Sequence, residues 1–405
     1  MNRQTGEPEN DRIHIRESAE EVSVFQKSEK KRQVKWSIVA LLFLVYAGVF
    51  VASLVFVTEY SVSTVRIQFS LAYVLRIARQ NINNIYQFMI GNGAPGGINF
   101  QIIRYLIVGL IGSSLAACGA LLQGTFRNVL AGPSTLGIQS GGTLGNLIYV
   151  LVFATSTTTV TVYTSSGLAE AAAQSNFFQR NLQQMLVLGG CLFGVLLVVS
   201  IATIAGRGKI SSSAMILSGT VFSAVIGSFC SLIQYYIIVK NPSDDRIELL
   251  RSLSMGSLDR AYSLEHLLSM SAVLIPCMAV LAVFSGKMNM LSFGEDAARS
   301  MGMNVRMYKL LMMGASTLMT AVVTAYVGHI GMIGFMSPQI IRRVVGPDFR
   351  RLFPASIAFG ALLMTIIYDV ARVLVMTDSL NLFTSIIGSF VMVFVLLNRK
   401  GGRMS

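Results

Sequence analysis

Residues 183–205 read QQMLVLGGCLFGVLLVVSIATIA, and the fold class follows from this stretch. It holds no Asp, Glu, Lys or Arg. At 1.5 Å per helical residue it spans roughly 35 Å, enough to cross a hydrocarbon core of about 30 Å. A helix that is apolar all round belongs in a large core or a bilayer. Comparable runs lie at 36–57, 103–123, 134–154, 212–239, 264–286, 307–327 and 354–376, with shorter ones at 333–345 and 382–398. The ten runs predict an all-α polytopic membrane protein with about ten transmembrane helices. The two short, Gly-interrupted runs read as broken helices.

Composition agrees. Of 405 residues, 53% are hydrophobic and 13% charged, and the mean hydropathy is +0.63. A soluble domain carries about 25% charged residues, so a soluble enzyme, a disordered chain and a nucleic-acid-binding domain are all excluded. The net charge of +13 comes from 32 Lys and Arg against 19 Asp and Glu. These charges avoid the apolar runs and therefore read as topology signals rather than as a nucleic-acid face.

Residues 1–35 hold eight Lys/Arg and seven Asp/Glu with few large apolar groups, which predicts a disordered polar tail ahead of a membrane domain at 36–400. No cleavable signal peptide is visible, because the first apolar run begins only at Trp36 and is too long for a signal core. Lys27, Lys30, Lys31, Arg32 and Lys35 precede it and place the N-terminus in the cytoplasm. Ten spans return the C-terminus to the same side. The inner turns then hold Arg127; Arg207 and Lys209; Lys287, Arg299, Arg306 and Lys309; Arg342, Arg343, Arg350 and Arg351; and Arg399, Lys400 and Arg403. The short outer turns near 328–332 and 377–381 hold no Lys or Arg. Two longer outer loops carry Arg66, Arg76, Arg79 and Arg104, and Lys240, Arg246, Arg251 and Arg260; longer loops follow the charge rule less strictly. The Thr/Val-rich segment 155–182 is either a solvated loop or a small hairpin.

The chemistry of covalent catalysis is missing. Cys118, Cys191, Cys230 and Cys277 each sit in an apolar run, in no metal-binding or disulfide spacing. His14, His266 and His329 form no HExxH, and no GxSxG is present. Gly206-Arg-Gly-Lys-Ile210 lacks the first Gly and the Ser/Thr of a P-loop. No catalytic residue, metal site or cofactor is expected, and any pumping must draw on a partner or a gradient. The spans are nearly free of carboxylates, and Asp369 is the exception away from a helix start. Arg372 follows at i+3, close enough to pair, which makes Asp369 a poor proton relay.

Small residues recur at Gly137, Gly141 and Gly145, at Gly190 and Gly194, and at Gly328, Gly331 and Gly334, spacings that allow close helix packing. Residues 291–303, Leu-Ser-Phe-Gly-Glu-Asp-Ala-Ala-Arg-Ser-Met-Gly-Met, read as a short helix pair outside the bilayer. Ser292 is placed to cap it with Glu295 at N3, and Gly302 to end it.

Seven stretches in order resemble the FecCD/BtuC-type permease subunits of bacterial ABC importers for ferric siderophores, haem and vitamin B12. Gly119-Ala-Leu-Leu-Gln-Gly-Thr-Phe-Arg-Asn-Val-Leu-Ala131 is similar to that family's G-A-x-x-Q-x-x-x-R-N-P-L-A, and Gly137-Ile-Gln-Ser-Gly-Gly142 to its L-G-v-s-x-G-A. Arg251–Leu258, residues 291–303, Gly328–Gly334, Ser337–Arg342 and Gly346–Arg351 with Asp369–Arg372 follow the same order. Val129 stands for the Pro of R-N-P-L-A, Gln339 for the His of P-H, and Ile103 and Gln101 depart from R-x-P-R.

The resemblance implies an inner translocation gate at Asn128 and Leu130. It implies an ATPase-coupling surface at Gly294, Glu295, Arg299 and Gly302, and binding-protein docking by Arg104 and Arg372. It further implies a second permease subunit, two ATP-binding subunits and an extracytoplasmic substrate-binding protein, assembled in the bacterial plasma membrane. The expected function is passage of a ferric siderophore, with haem or cobalamin as the alternative cargo and a secondary transporter as the alternative class.

Overall fold

The computed structural model describes residues 36–53, 79, 99–153, 177–206, 212–240, 246–258, 264–374 and 377–397. The polar tail at 1–35, the P-loop-like stretch after Gly206 and most of the 155–182 segment lie outside the described residues. Among those described, all regular structure is helical: α1 (Trp36–Ser53), α2 (Asn99–Thr125), α3 (Ile138–Val152), α4 (Phe177–Ala205), α5 (Ser212–Lys240), α6 (Arg246–Met255), α7 (Leu264–Ser285), α8 (Met288–Ser292), α9 (Glu295–Ser300), α10 (Val305–Val327), α11 (Ile333–Val345), α12 (Phe349–Val373), a 3-10 turn (Thr377–Ser379) and α13 (Leu380–Leu397).

Among the described residues, eight helices are long and apolar enough to cross a membrane: α1, α2, α4, α5, α7, α10, α12, and α13 with its preceding turn. The two short segments are α3, of 15 residues, and α11, of 13. This redistributes the expected broken helices. The run at 134–154 loses its start to the Pro133–Gly137 turn, where Thr135 Oγ1 bonds the backbone of Leu130 and Gly132 and Gly137 adopts φ 74°. The final run, by contrast, forms a full 18-residue helix. The added element is α6, a short helix that packs on α3.

The central helix is α2. In its most apolar stretch 83% of residues are buried, the highest share of any span. It packs chiefly on α12, then on α11, α10 and α7. These crossings use the small residues. A Cβ at Gly119 would collide with the Gly334 carbonyl of α11, one at Gly112 with the Gly360 carbonyl of α12, and one at Gly141 on α3 with the Gly190 carbonyl of α4. Without a hydrophobic drive between helices in lipid, such backbone approach supplies the dispersion contacts that hold a bundle together. Cys118, Cys191 and Cys230 are buried and all four thiols are free. α1 is tied on by Ser53, which donates to Asp369 Oδ2.

Candidate functional site

The two ends of the bundle carry different chemistry. At one end, α2 terminates in a turn that the sequence singled out. Arg127 adopts φ 48°, its N–H donates to Gly124 O at 3.2 Å, and the Asn128 N–H donates to Gln123 O at 3.1 Å. This is a Schellman closure with Arg where Gly is usual. Asn128 Oδ1 then accepts from the Leu130 N–H at 2.9 Å, so the two gate candidates belong to one locked turn. Both are half-buried.

Two buried glutamines, Gln339 and Gln123, fix this turn, and a third, Gln139, lies at the start of α3. Gln339 of α11 donates through Nε2 to Gln123 Oε1 at 2.8 Å and to Val129 O at 3.1 Å. Gln123 in turn donates to Phe335 O at 3.2 Å, and Gln139 donates to Ile330 O. Polar side chains at this depth are expensive unless they are paired, and here they are paired with each other and with backbone. Sequence reading singled out Gln339 only as a departure from a motif. The available signal was three Gln in otherwise apolar stretches.

Met288 and Gly294, which lead into the charged segment, adjoin this turn. Thr125 Oγ1 faces Met288 Sδ at 3.9 Å, and a Cβ on Gly294 would lie 3.8 Å from Arg127 Nη1. The segment is the expected helix pair, α8 and α9, but its capping differs. Ser292 does not cap α9; its hydroxyl donates to Asn289 O at 2.6 Å. Gly294 occupies the N-cap with φ 116°, a backbone region closed to Ser, and makes no side-chain cap bond. Gly302 ends the helix as expected: at φ 84° its N–H donates to Arg299 O at 2.9 Å and the Met303 N–H to Ala298 O at 3.0 Å.

Glu295 bonds Lys309 Nζ of α10, and Arg299 lies 3.7 Å from Glu295 and 3.6 Å from Asp296. Glu295 thus links α9 to a spanning helix, a partner hidden from any i,i+4 rule by its separation in sequence. Phe293, beside these charges, is 77% exposed.

The opposite end of α2 brings Arg104 and Arg372 into one network. Arg104 Nη1 donates to Tyr368 Oη at 3.5 Å and Arg372 Nη1 to Tyr105 Oη at 3.3 Å. Tyr105 donates to Asp369 Oδ1 at 2.5 Å, and the two tyrosine rings meet edge to face, 5.4 Å between centroids. The expected direct Asp369–Arg372 pair is therefore bridged by the Tyr105 hydroxyl, while the carboxylate is shared with α1. Both arginines are half-buried. Nearby, the His329 N–H donates to Leu253 O at 3.0 Å, the Gly331 N–H to Asn381 Oδ1 at 2.9 Å and the Ser257 hydroxyl to Asp378 Oδ1 at 3.4 Å.

A bundle of membrane-length apolar helices with a locked turn at one end is the architecture of a polytopic membrane protein. The chain belongs to the FecCD transport family, whose model matches residues 51–398. It is 30% identical over 74% of its length to an ABC transporter permease protein of Methanocaldococcus jannaschii, covering 80% of that protein. It is 28% identical to the cobalamin import system permease BtuC of Halobacterium salinarum, over 74% of this chain and 73% of that one. It is likewise 28% identical to the hemin transport system permease HmuU of Yersinia pestis, over 76% and 84%. A solved metal-chelate type ABC transporter in an inward-facing conformation has the same fold, with a TM-score of 0.65 over 89% of this chain and 99% of that one at 22% identity.

Proposed function

We propose that the chain is the membrane-spanning permease subunit of an ABC importer, passing a ferric siderophore or similar iron chelate inward. The observation that carries this reading is the contact of α8 and Gly294 with the end of α2 at Thr125 and Arg127, next to the turn of Asn128 and Leu130. A motor subunit gripping Gly294, Glu295, Arg299 and Gly302 would pull on α8 and α10, and both abut the helices that hold the turn. Switching between two packings of a rigid bundle is how such a pull becomes a change of access. In this reading the 291–303 end faces the cytoplasm, both termini lie there, and Arg104 and Arg372 face outward.

Haem and cobalamin form the second reading of the cargo. It is favoured by the hemin and cobalamin permeases at 28% identity, against 27% for the Fe(3+)-citrate permease YfmE of Bacillus subtilis. A mild-detergent pull-down of the tagged chain should bring down an ATP-binding subunit in equal amount and a second permease chain, identical or different. Uptake by that complex of radiolabelled ferric chelates, haem and cobalamin then assigns the cargo. A preparation that never carries an ATP-binding subunit across several detergents would transfer the reading to a secondary transporter.

Two variants probe the ends. Glu295→Ala or Gly302→Trp should leave membrane insertion intact while uptake falls about ten-fold, because the first frees α9 from Lys309 and the second forces a side chain onto φ 84° at the grip. Unchanged uptake in both would remove the coupling role. Arg104→Glu should weaken docking of an acidic binding-protein surface about ten-fold at low salt, and less at high salt, since screening shortens to about 8 Å at physiological ionic strength. Docking indifferent to both charge and salt would end that assignment.

A further inference from the structure

We infer that a cleft beside α8, at the gate-turn end of the bundle, holds the headgroup of an anionic phospholipid. The cleft has a volume of about 580 Å³, and its lining includes Ala282, Val283, Met290 and Phe293 on its apolar side and Lys287 and Arg350 on its cationic side. Val283 lies in the last turn of α7, a membrane-length apolar helix, and is 79% exposed, which in a bilayer means contact with acyl chains. Lys287 lies one turn beyond it, where the hydrocarbon gives way to headgroups.

The two cations are free to take an anion. Lys287 Nζ stands 5.3 Å from the Phe284 ring centroid, and Arg350 Nε rests against the Gly286 backbone, one residue from Lys287. Neither has a carboxylate within 4.0 Å among the described residues. The carboxylate nearest in sequence, Asp348, is already occupied. It accepts from Asn289 Nδ2 at 2.7 Å and from the Arg350 N–H at 3.0 Å, and lies 3.8 Å from Arg351 Nε. Those bonds pin the start of α12 to α8 and so hold the cleft open as a built shape.

An apolar wall running into a span, topped by an unpaired ammonium and a guanidinium, matches a lipid phosphate with its chains below. Guanidinium binds phosphate oxygens in a forked pair, and basic pockets at helix ends recruit anionic headgroups. A soluble motor subunit is the less fitting occupant, because Ala282 and Val283 of the apolar wall belong to α7, a membrane-length apolar helix.

The test uses the complete permease–ATPase complex in nanodiscs of phosphatidylcholine containing a minor fraction of phosphatidylglycerol. Native mass spectrometry counts the lipids retained on release. Wild type should retain phosphatidylglycerol well above its bulk share. Lys287→Gln with Arg350→Gln should lower that enrichment about ten-fold, and Lys287→Gln alone by less. Arg343→Gln, whose guanidinium lies 5.0 Å over the Phe394 ring, should leave it unchanged. Equal retention in wild type and both Lys287 variants would overturn the site. So would an equal loss in Arg343→Gln, which would mean only bulk attraction. Displacement by inorganic phosphate would overturn the lipid as occupant. Cross-linking of a Lys287→Cys variant to the ATP-binding subunit, without lipid enrichment, would give the cleft to that subunit.

Discussion

Gly119→Val is expected to abolish the folded protein. The α2–α11 crossing places Gly119 so close to the Gly334 carbonyl that any Cβ must push the two backbones apart. Separation cannot be local, because α2 is also fixed to α12 at Gly112 and Gly360. Overpacking of a well-packed core costs about 1–3 kcal/mol, and more where the obstacle is backbone. Size-exclusion chromatography of the detergent-extracted variant should show aggregate in place of a monodisperse peak. Gly314→Ala, a helical position with nothing within 4 Å, is the matched control and should behave as wild type. A monodisperse Gly119→Val with normal uptake would show that the close crossing is dispensable.

The second large effect is expected from Gln339→Leu. This change removes the donor that joins Gln123 Oε1 and Val129 O, leaving two buried acceptors without that partner. Each orphaned group costs about 1–3 kcal/mol, and the loss falls on the turn carrying Asn128 and Leu130 rather than on the bundle at large. The complex should still insert and hydrolyse ATP, while coupled uptake falls at least about ten-fold. Gln339→His keeps one ring N–H and should restore part of the uptake. That rescue separates a held turn from a simple loss of stability. If Gln339→Leu and wild type transport alike, the glutamines are packing residues only.

The sequence made the bundle legible because apolar runs of membrane length admit few other readings. What it could not show was where helices begin. The 354–376 run hides a helix starting at Phe349, since the first turn carries Arg350 and Arg351 and is capped by Asp348, whose side chain accepts from the Arg350 N–H. The 134–154 run was shortened by a turn that hydropathy does not register. The site was legible in part. Asn128 and Leu130 share one turn, Gly302 closes a helix and the two arginines meet one tyrosine pair, but the roles expected of them rest on resemblance alone. The residues that hold them (Gln339, Lys309, Tyr105 and Tyr368) pair across the fold with positions far away in the chain, so no local spacing announces them. Ser292 failed as a cap because the backbone at Gly294 turns through a conformation only glycine favours.

α2 has one further consequence. Its 27 residues extend about 40 Å as a single buried rod, with Arg104 near one tip and the Asn128 turn closing the other. Such a rod has little freedom to bend, so a thrust at one tip must emerge at the far tip with almost the same amplitude. Pressure on Arg104 and Arg372 would therefore reach the Asn128 turn mechanically, at the far end of the same helix. Under the proposed function, cargo delivery and gate release would then be two readings of one displacement.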